Sequence, residues 1–280
     1  MDVHEAFLIL SELGDDPESL EREALRHDPL YEDSIRRAGI LPGSKVLELA
    51  VGTAIMAVKL AQRIGSRGHI TGIDVNPRML KVANEKKRTL RLSNLEFKKM
   101  RMEKLRFEDN TFDHVISNFG VCCAFNYDKA LCEAYRVLRL GGRLTYNHEG
   151  PRETEPSRVF SETFSKYKTR KPSRKLRKKR EATAIHSRMI GNYTDPFVVL
   201  SKMQRIGFRN PEASITSLTL VFRSIEEFMD YQLMGSLEYQ EIGRERQAKF
   251  VRDCSAKLGK LLTDDGLVDN GDIVFFSGYK

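Results

Sequence analysis

Apolar and polar positions across residues 44–149 alternate between two rhythms. Short apolar runs near 45–49, 69–74, 95–100, 113–118 and 143–148 read as strands. Between them, apolar residues at helical spacing predict helices near 54–64, 77–87 and 128–138. Such alternation calls for right-handed crossovers and a parallel sheet covered on both faces. Ahead of it, residues 1–43 read as short helices over 5–13, 17–26 and 31–38, the last ending at Gly39. Beyond it, the pattern predicts a helix over 195–206, a strand over 213–222 and a helix over 225–234 that Ser224 and Glu227 would open as a capping box. A long helix near 238–262 carries Val251, Cys254, Leu258 and Leu261 on one stripe, and a strand over 272–279 completes an antiparallel pair with 213–222.

The first strand and its exit hold the most informative residues. Val46-Leu47-Glu48-Leu49 turns through Ala50-Val51-Gly52-Thr53-Ala54 into a helix, and the next strand ends on Asp74. Asp74 lies 20 positions after Ala54, the separation at which a carboxylate accepts hydrogen bonds from a ribose hydroxyl pair. An adenosine-containing cofactor is therefore expected at the carboxyl ends of these strands. A dinucleotide turn needs glycine at its first, third and sixth positions, which here are Ala50, Gly52 and the branched Ile55. The small residues fall instead at the first, third and fifth positions, Ala50, Gly52 and Ala54.

That turn resembles the G-x-G-x-G of class I S-adenosylmethionine (SAM) methyltransferases, with Ala54 adding a methyl where the family carries glycine. The resemblance continues in order along residues 44–149. Asp74-Val75-Asn76-Pro77-Arg78-Met79-Leu80 is similar to the family's second-strand exit, with Asn76 as helix cap and Pro77 in the first turn. Residues 102–113, Met-Glu-Lys-Leu-Arg-Phe-Glu-Asp-Asn-Thr-Phe-Asp, resemble its acidic loop, although Arg101 replaces an aspartate. Tyr135-Arg136-Val137-Leu138-Arg139-Leu140-Gly141-Gly142-Arg143-Leu144 resembles its helix–turn–strand "RVLKPGGRL". The resemblance implies a doubly wound, Rossmann-like α/β sheet of seven strands. It also implies SAM held by Glu48 near the ammonium, Ala50, Val51 and Gly52 at the methionine part, and Asp74 at the ribose. Val75, Met79 and Met102 would lie about the adenine, with Asn118 near the transferable methyl.

Composition narrows the setting. The 280 residues are 40% hydrophobic, with a mean hydropathy of −0.44, ordinary for a globular chain. No apolar run approaches the roughly 18 residues of a membrane span. The start of the chain lacks the basic flank and cleavage site of a secretory signal. Cys122, Cys123, Cys132 and Cys254 follow no C-x-x-C spacing, so a reduced, cytoplasmic chain without a metal site is expected.

Charge is concentrated in one place. Residues 151–190 hold 13 Lys and Arg against 4 Asp and Glu, while the whole chain carries +8. This basic segment, 150–194, would be a lid between the SAM-binding core, 44–149, and residues 195–280, the C-terminal part of the same domain, with 1–43 as helical cover. A positive patch attracts RNA, a phosphorylated metabolite or a membrane surface; a solvated lid explains the same charges equally well. Phe164 and Tyr167 are its two rings, few for a single-strand binder.

Two further features bear on chemistry. The run Asn118-Phe119-Gly120-Val121-Cys122-Cys123 resembles the "FGxRN" loop of ubiquinone/menaquinone C-methyltransferases, but cysteines replace its arginine and asparagine, so that substrate is not carried over. Two small buried loop residues is the simpler account of these thiols. His148 closes the fifth strand and is a candidate general base, against the commoner role of a loop-bonded histidine. Tyr31 touches the cofactor or packs in the cover. The function expected is SAM-dependent methyl transfer to an unidentified acceptor, a small molecule before RNA, with an anionic acceptor among the options. The alternatives are an RNA-directed methyltransferase using 163–180, and a non-catalytic SAM- or nucleoside-binding protein.

Overall fold

The computed structural model describes residues 1–13, 16–150, 153–190, 193 and 195–280, with no side-chain description for His4 and Ile190. The chain opens with three helices, α1 (Val3–Leu13), α2 (Pro17–Arg26) and α3 (Asp28–Ala38). There follow β1 (Lys45–Leu49), α4 (Ile55–Ile64), β2 (His69–Asp74), α5 (Pro77–Thr89), β3 (Leu95–Lys99) and β4 (Phe112–Asn118). A single 3-10 turn at Val121–Cys123 leads into α6 (Tyr127–Val137) and β5 (Leu138–Glu149). The remainder comprises α7 (Glu155–Ser165), α8 (Arg174–Ile190), α9 (Pro196–Ile206), β6 (Arg209–Phe222), α10 (Ile225–Leu233), α11 (Leu237–Glu241), α12 (Arg244–Leu258) and β7 (Leu267–Tyr279).

The sheet has seven strands in the order β3-β2-β1-β4-β5-β7-β6. The first five pair in parallel, and β7 pairs antiparallel to β5. The order reverses between β1 and β4, the switch point at which open α/β sheets bind ligands. Alternation along β1 sends Val46 into one apolar cluster, with Ala57, Leu60 and Ile70, and Leu47 and Leu49 into another, with Tyr127, Leu131 and Tyr146. Both faces are thus covered, as the run of strand and helix predicts.

The chain divides into two compact units. One holds Asp15–Glu149, His186–Thr216 and Ile273–Lys280, with the two clusters above. The other holds Met1–Gly14, Gly150–Ile185 and Ser217–Asp272. Its core is aromatic: Phe164 meets Phe250 at 5.0 Å between ring centroids, and Phe222 meets Phe228 at 5.1 Å. These boundaries differ from those expected from the sequence. The stripe of α12, buried at Phe250, Cys254 and Leu258, packs with Phe160 and Phe164 of α7, so residues 217–272 join the basic segment. The N-terminal helices divide likewise, α1 from α2 and α3.

Local details follow the expected chemistry with two departures. Asn76 caps α5 by accepting from the Arg78 N–H at 2.9 Å, and Ser224 accepts from the Glu227 N–H at 3.2 Å. The Glu227 carboxylate, however, accepts from Arg223 N at 2.6 Å. The long helix near 238–262 is two helices, because Ile242 is extended and Gly243 restarts the chain as the cap of α12. Residues 151, 152, 191, 192 and 194 of the basic segment lie outside the described residues.

Candidate functional site

Between β1 and α4, three alternate residues take left-handed backbone: Ala50 (φ 52°), Gly52 (φ 54°) and Ala54 (φ 67°). This is the physical content of the small-residue spacing. A side chain in this region costs roughly 1–2 kcal/mol, and glycine avoids the cost. The turn is closed by Val51 N donating to Ile73 O and Ala54 N donating to Val51 O, both at 2.9 Å. Gly52 N donates to Asp74 Oδ2 at 2.9 Å, while Asp74 Oδ1 accepts from Asn76 N at 2.8 Å. A Cβ at Gly52 would come within 2.8 Å of Leu20 Cδ2, so α2 lies directly over the turn.

Glu48 stands next to the carboxyl end of β1 with 3% of its surface exposed, and its Oε2 is buried without a hydrogen-bond partner. Burial, then the neighbouring Asp74 charge, holds its pKa well above the ordinary carboxylate range. Burial also raises Asp74, against the N–H groups of Asn76, Gly52 and Val75. An unmatched carboxyl at this depth is costly unless a cation or donor meets it. The residues therefore fit a ligand with a cationic end at Glu48 and hydroxyl donors at Asp74.

At the end of β4, Asn118 Oδ1 accepts from Ser34 Oγ at 2.6 Å and from Asn147 Nδ2. Asn147, fully buried on β5, accepts from Phe119 N at 3.1 Å through its Oδ1. This network orients the Asn118 amide so that its Nδ2, buried and unpartnered, is the free donor. Ser34, Asn147 and Leu20 were not picked out from sequence. Asn147 follows Asn118 at the same register of adjacent strands, a signal that pairing alone would have supplied.

The other expected residues are less closely joined. Val75 is half-buried and Met79 buried at the start of α5; Met102 packs against the cluster that contains Leu49 and Ile73. Arg101 turns to Glu103 at 3.5 Å and lies 4.8 Å over the Phe125 ring. Tyr31 is buried among Val51, Ala54 and Met56. The acidic loop and the "RVL" helix prove to be one device, since Arg136 donates to the carbonyls of Phe107 and Leu105 and to Asp109. His148 has its Nδ1 2.8 Å from the O of Glu149, the last residue of the same strand, its Nε2 is buried without a partner, the ring packs on Phe276, and burial lowers its pKa. The cysteines differ from expectation. Cys123 is exposed, whereas Cys122 is half-buried and its thiol pKa is held well above the usual value by a hydrogen bond with Cys123 and then by burial; both thiols lie near Phe119 O, 3.2 and 3.6 Å away.

A family model described as the ubiE/COQ5 methyltransferase family matches residues 24–170, which runs from Tyr31 and Ser34 through the turn at 50–54, Asp74 and Asn118 to Asn147 and His148, and leaves out Leu20 and Phe276. The chain belongs to this family. Among curated relatives, demethylmenaquinone methyltransferase of Listeria welshimeri is 36% identical over 118 residues, 42% of this chain and 50% of the relative. The ubiquinone/menaquinone biosynthesis C-methyltransferase UbiE of Psychromonas ingrahamii is 38% identical over 129 residues, 46% and 51% respectively. The chain thus spans about half the length of the curated relatives it matches. Solved structures share the fold: a SAM-dependent methyltransferase of Aquifex aeolicus (TM-score 0.54, 17% identity, 95% of this chain and 100% of that one) and YcgJ of Bacillus subtilis (TM-score 0.58, 14% identity, 91% and 99%). The matched stretch takes in the turn at residues 50–54 and Asp74.

Proposed function

We propose that this member of the ubiE/COQ5 family is a SAM-dependent methyltransferase acting on a small-molecule acceptor. The observation that carries the reading is the pairing of Gly52 N–H with Asp74 beside the unmatched carboxyl of Glu48. When bound, the cofactor supplies an electrophilic methyl on a cationic sulfur. The chain's residues do the rest. Glu48 would meet the ammonium, Asp74 would accept from the ribose hydroxyls through lone pairs its two backbone bonds leave open, and the backbone of residues 50–52 would hold the methionine part. Asn118, locked by Ser34 and Asn147, would present its amide N–H beside the methyl, where it can hold an acceptor in line with the reacting atoms about 3–3.5 Å apart.

A small molecule is favoured over RNA because both rings of the basic stretch are occupied: Phe164 and Tyr167 pack on Phe250. The relatives' names point to a quinone precursor, yet Cys122 and Cys123 alter the loop beside the site, which supports an acceptor of different shape. Calorimetric titration of SAM, followed by methyl transfer from labelled SAM to a panel of phenolic and quinol acceptors, tests the reading. Transfer to one of them supports it, and absence of SAM binding would overturn it.

A further inference from the structure

The densest charge on the molecule lies outside the site just described. Residues 166–180 carry ten Lys and Arg and no Asp or Glu. Lys178 is committed to Glu5 at 3.5 Å and Arg180 to Glu238 at 2.9 Å through its Nε. Seven others, Lys166, Lys168, Arg170, Lys171, Arg174, Lys175 and Arg177, are exposed, and none of them forms an ion pair among the described residues. The segment is built rather than loose. Leu176 and Ala182 are buried on α8, and Arg180 also donates to Thr169 O, which fastens the start of the helix to the connection before it.

Beside these cations lies an apolar feature of the same unit. Helix α1 is joined to α8 by Lys178–Glu5 and by the N-terminal amine with Glu181 at 3.2 Å. It leaves Leu8 53% and Val3 37% exposed, on a helix where Ala6 alone is buried among the described side chains. Unpaired cations next to exposed aliphatic side chains match the two parts of a lipid interface, an anionic headgroup layer and the acyl boundary below it. A polynucleotide would take the cations but has no use for Leu8, and the segment offers it no free ring for stacking. Among the described residues no helix is long and apolar enough to cross a membrane, so contact would be with the surface.

We infer that residues 166–177 and α1 form a docking surface for an anionic phospholipid membrane. The surface belongs to one unit and stands apart from the methyl-transfer reading, so either can fail without the other. The test is co-sedimentation of the full chain with vesicles of phosphatidylcholine containing phosphatidylglycerol, against vesicles of phosphatidylcholine alone. Binding to the first only, weakening as salt is raised, is the expected result. Lys168→Gln, Arg170→Gln, Lys171→Gln, Arg174→Gln and Lys175→Gln together should lower the partition constant, by up to roughly five-fold for each cation removed, and flatten the salt dependence. Leu8→Ser should lower it a few-fold while leaving the salt dependence unchanged. All six side chains are exposed, and thermal unfolding of each variant checks that the fold is kept. Equal sedimentation with both vesicle types, no binding to either, or tighter binding to a single-stranded RNA oligomer than to the anionic vesicles at the same salt would each overturn the inference.

Discussion

The backbone N–H of Gly52 donates to Oδ2 of Asp74 at 2.9 Å, tying the turn after β1 to the last residue of β2. The same carboxylate also accepts from Asn76 N and so sets the exit into α5. Asp74 is thus a structural hub as well as the proposed ribose acceptor, and its substitution should register in two measurements. Asp74→Ala should cost about 1–3 kcal/mol of stability in a denaturant titration, by leaving two backbone donors without their partner. It should also weaken SAM binding in calorimetry by about 1.5–3 kcal/mol for each ribose hydrogen bond lost. Unchanged SAM affinity would show that the ribose lies elsewhere.

Ala54 holds a left-handed conformation at the head of α4, with no side-chain cap. Ala54→Gly releases that strain and removes a methyl that is fully buried in the cluster with Tyr31, Val51 and Met56. Thermal unfolding should show a stability close to wild type, since relief of roughly 1–2 kcal/mol is offset by glycine's entropic cost of about 0.5–1 kcal/mol and by the loss of a buried methyl, about 0.8 kcal/mol. SAM affinity should hold or rise. A large loss of affinity with the fold intact would mean that the methyl is shaped for another ligand.

Glu48 predicts a pH dependence. Its raised pKa means that the folded chain keeps a proton at pH values where the unfolded chain has lost it. This contribution to stability is therefore complete at acid pH and declines as pH rises from the ordinary glutamate value through the raised one. Glu48→Gln should abolish that decline, so that without cofactor the variant outlasts wild type by a margin that grows toward neutral pH. In the presence of SAM the order should reverse, because the amide cannot neutralise an ammonium. Parallel stability curves for the two proteins across that range would sink the assignment.

The Asn118 clamp gives a fourth expectation. Asn147→Leu removes the acceptor of Phe119 N and the donor to Asn118 Oδ1 in a fully buried place. A loss of about 1–3 kcal/mol in chemical denaturation follows from the groups left unsatisfied. Ser34→Ala, which removes one donor to Asn118 and leaves the Phe119 bond in place, should cost less. A smaller loss for Asn147→Leu than for Ser34→Ala would place the centre of the network at Ser34.

Periodicity determined the alternating strands and helices over residues 44–149, since period two and period 3.6 are local properties of the chain. Spacing determined the turn, because left-handed backbone at alternate residues selects small side chains at Ala50, Gly52 and Ala54. The residue types at Glu48 and Asp74 named the chemistry expected there. Tertiary structure alone decided that Ser34 and Asn147, 113 residues apart, hold Asn118 from two elements. It decided equally that α7 packs on α12, which places residues 217–272 in one unit with residues 150–185. It also selected which of ten cations stay unpaired, through Glu5 and Glu238 reaching back from distant parts of the chain. Such contacts depend on which faces meet after folding, and an apolar stripe announces that it will be buried without saying against what.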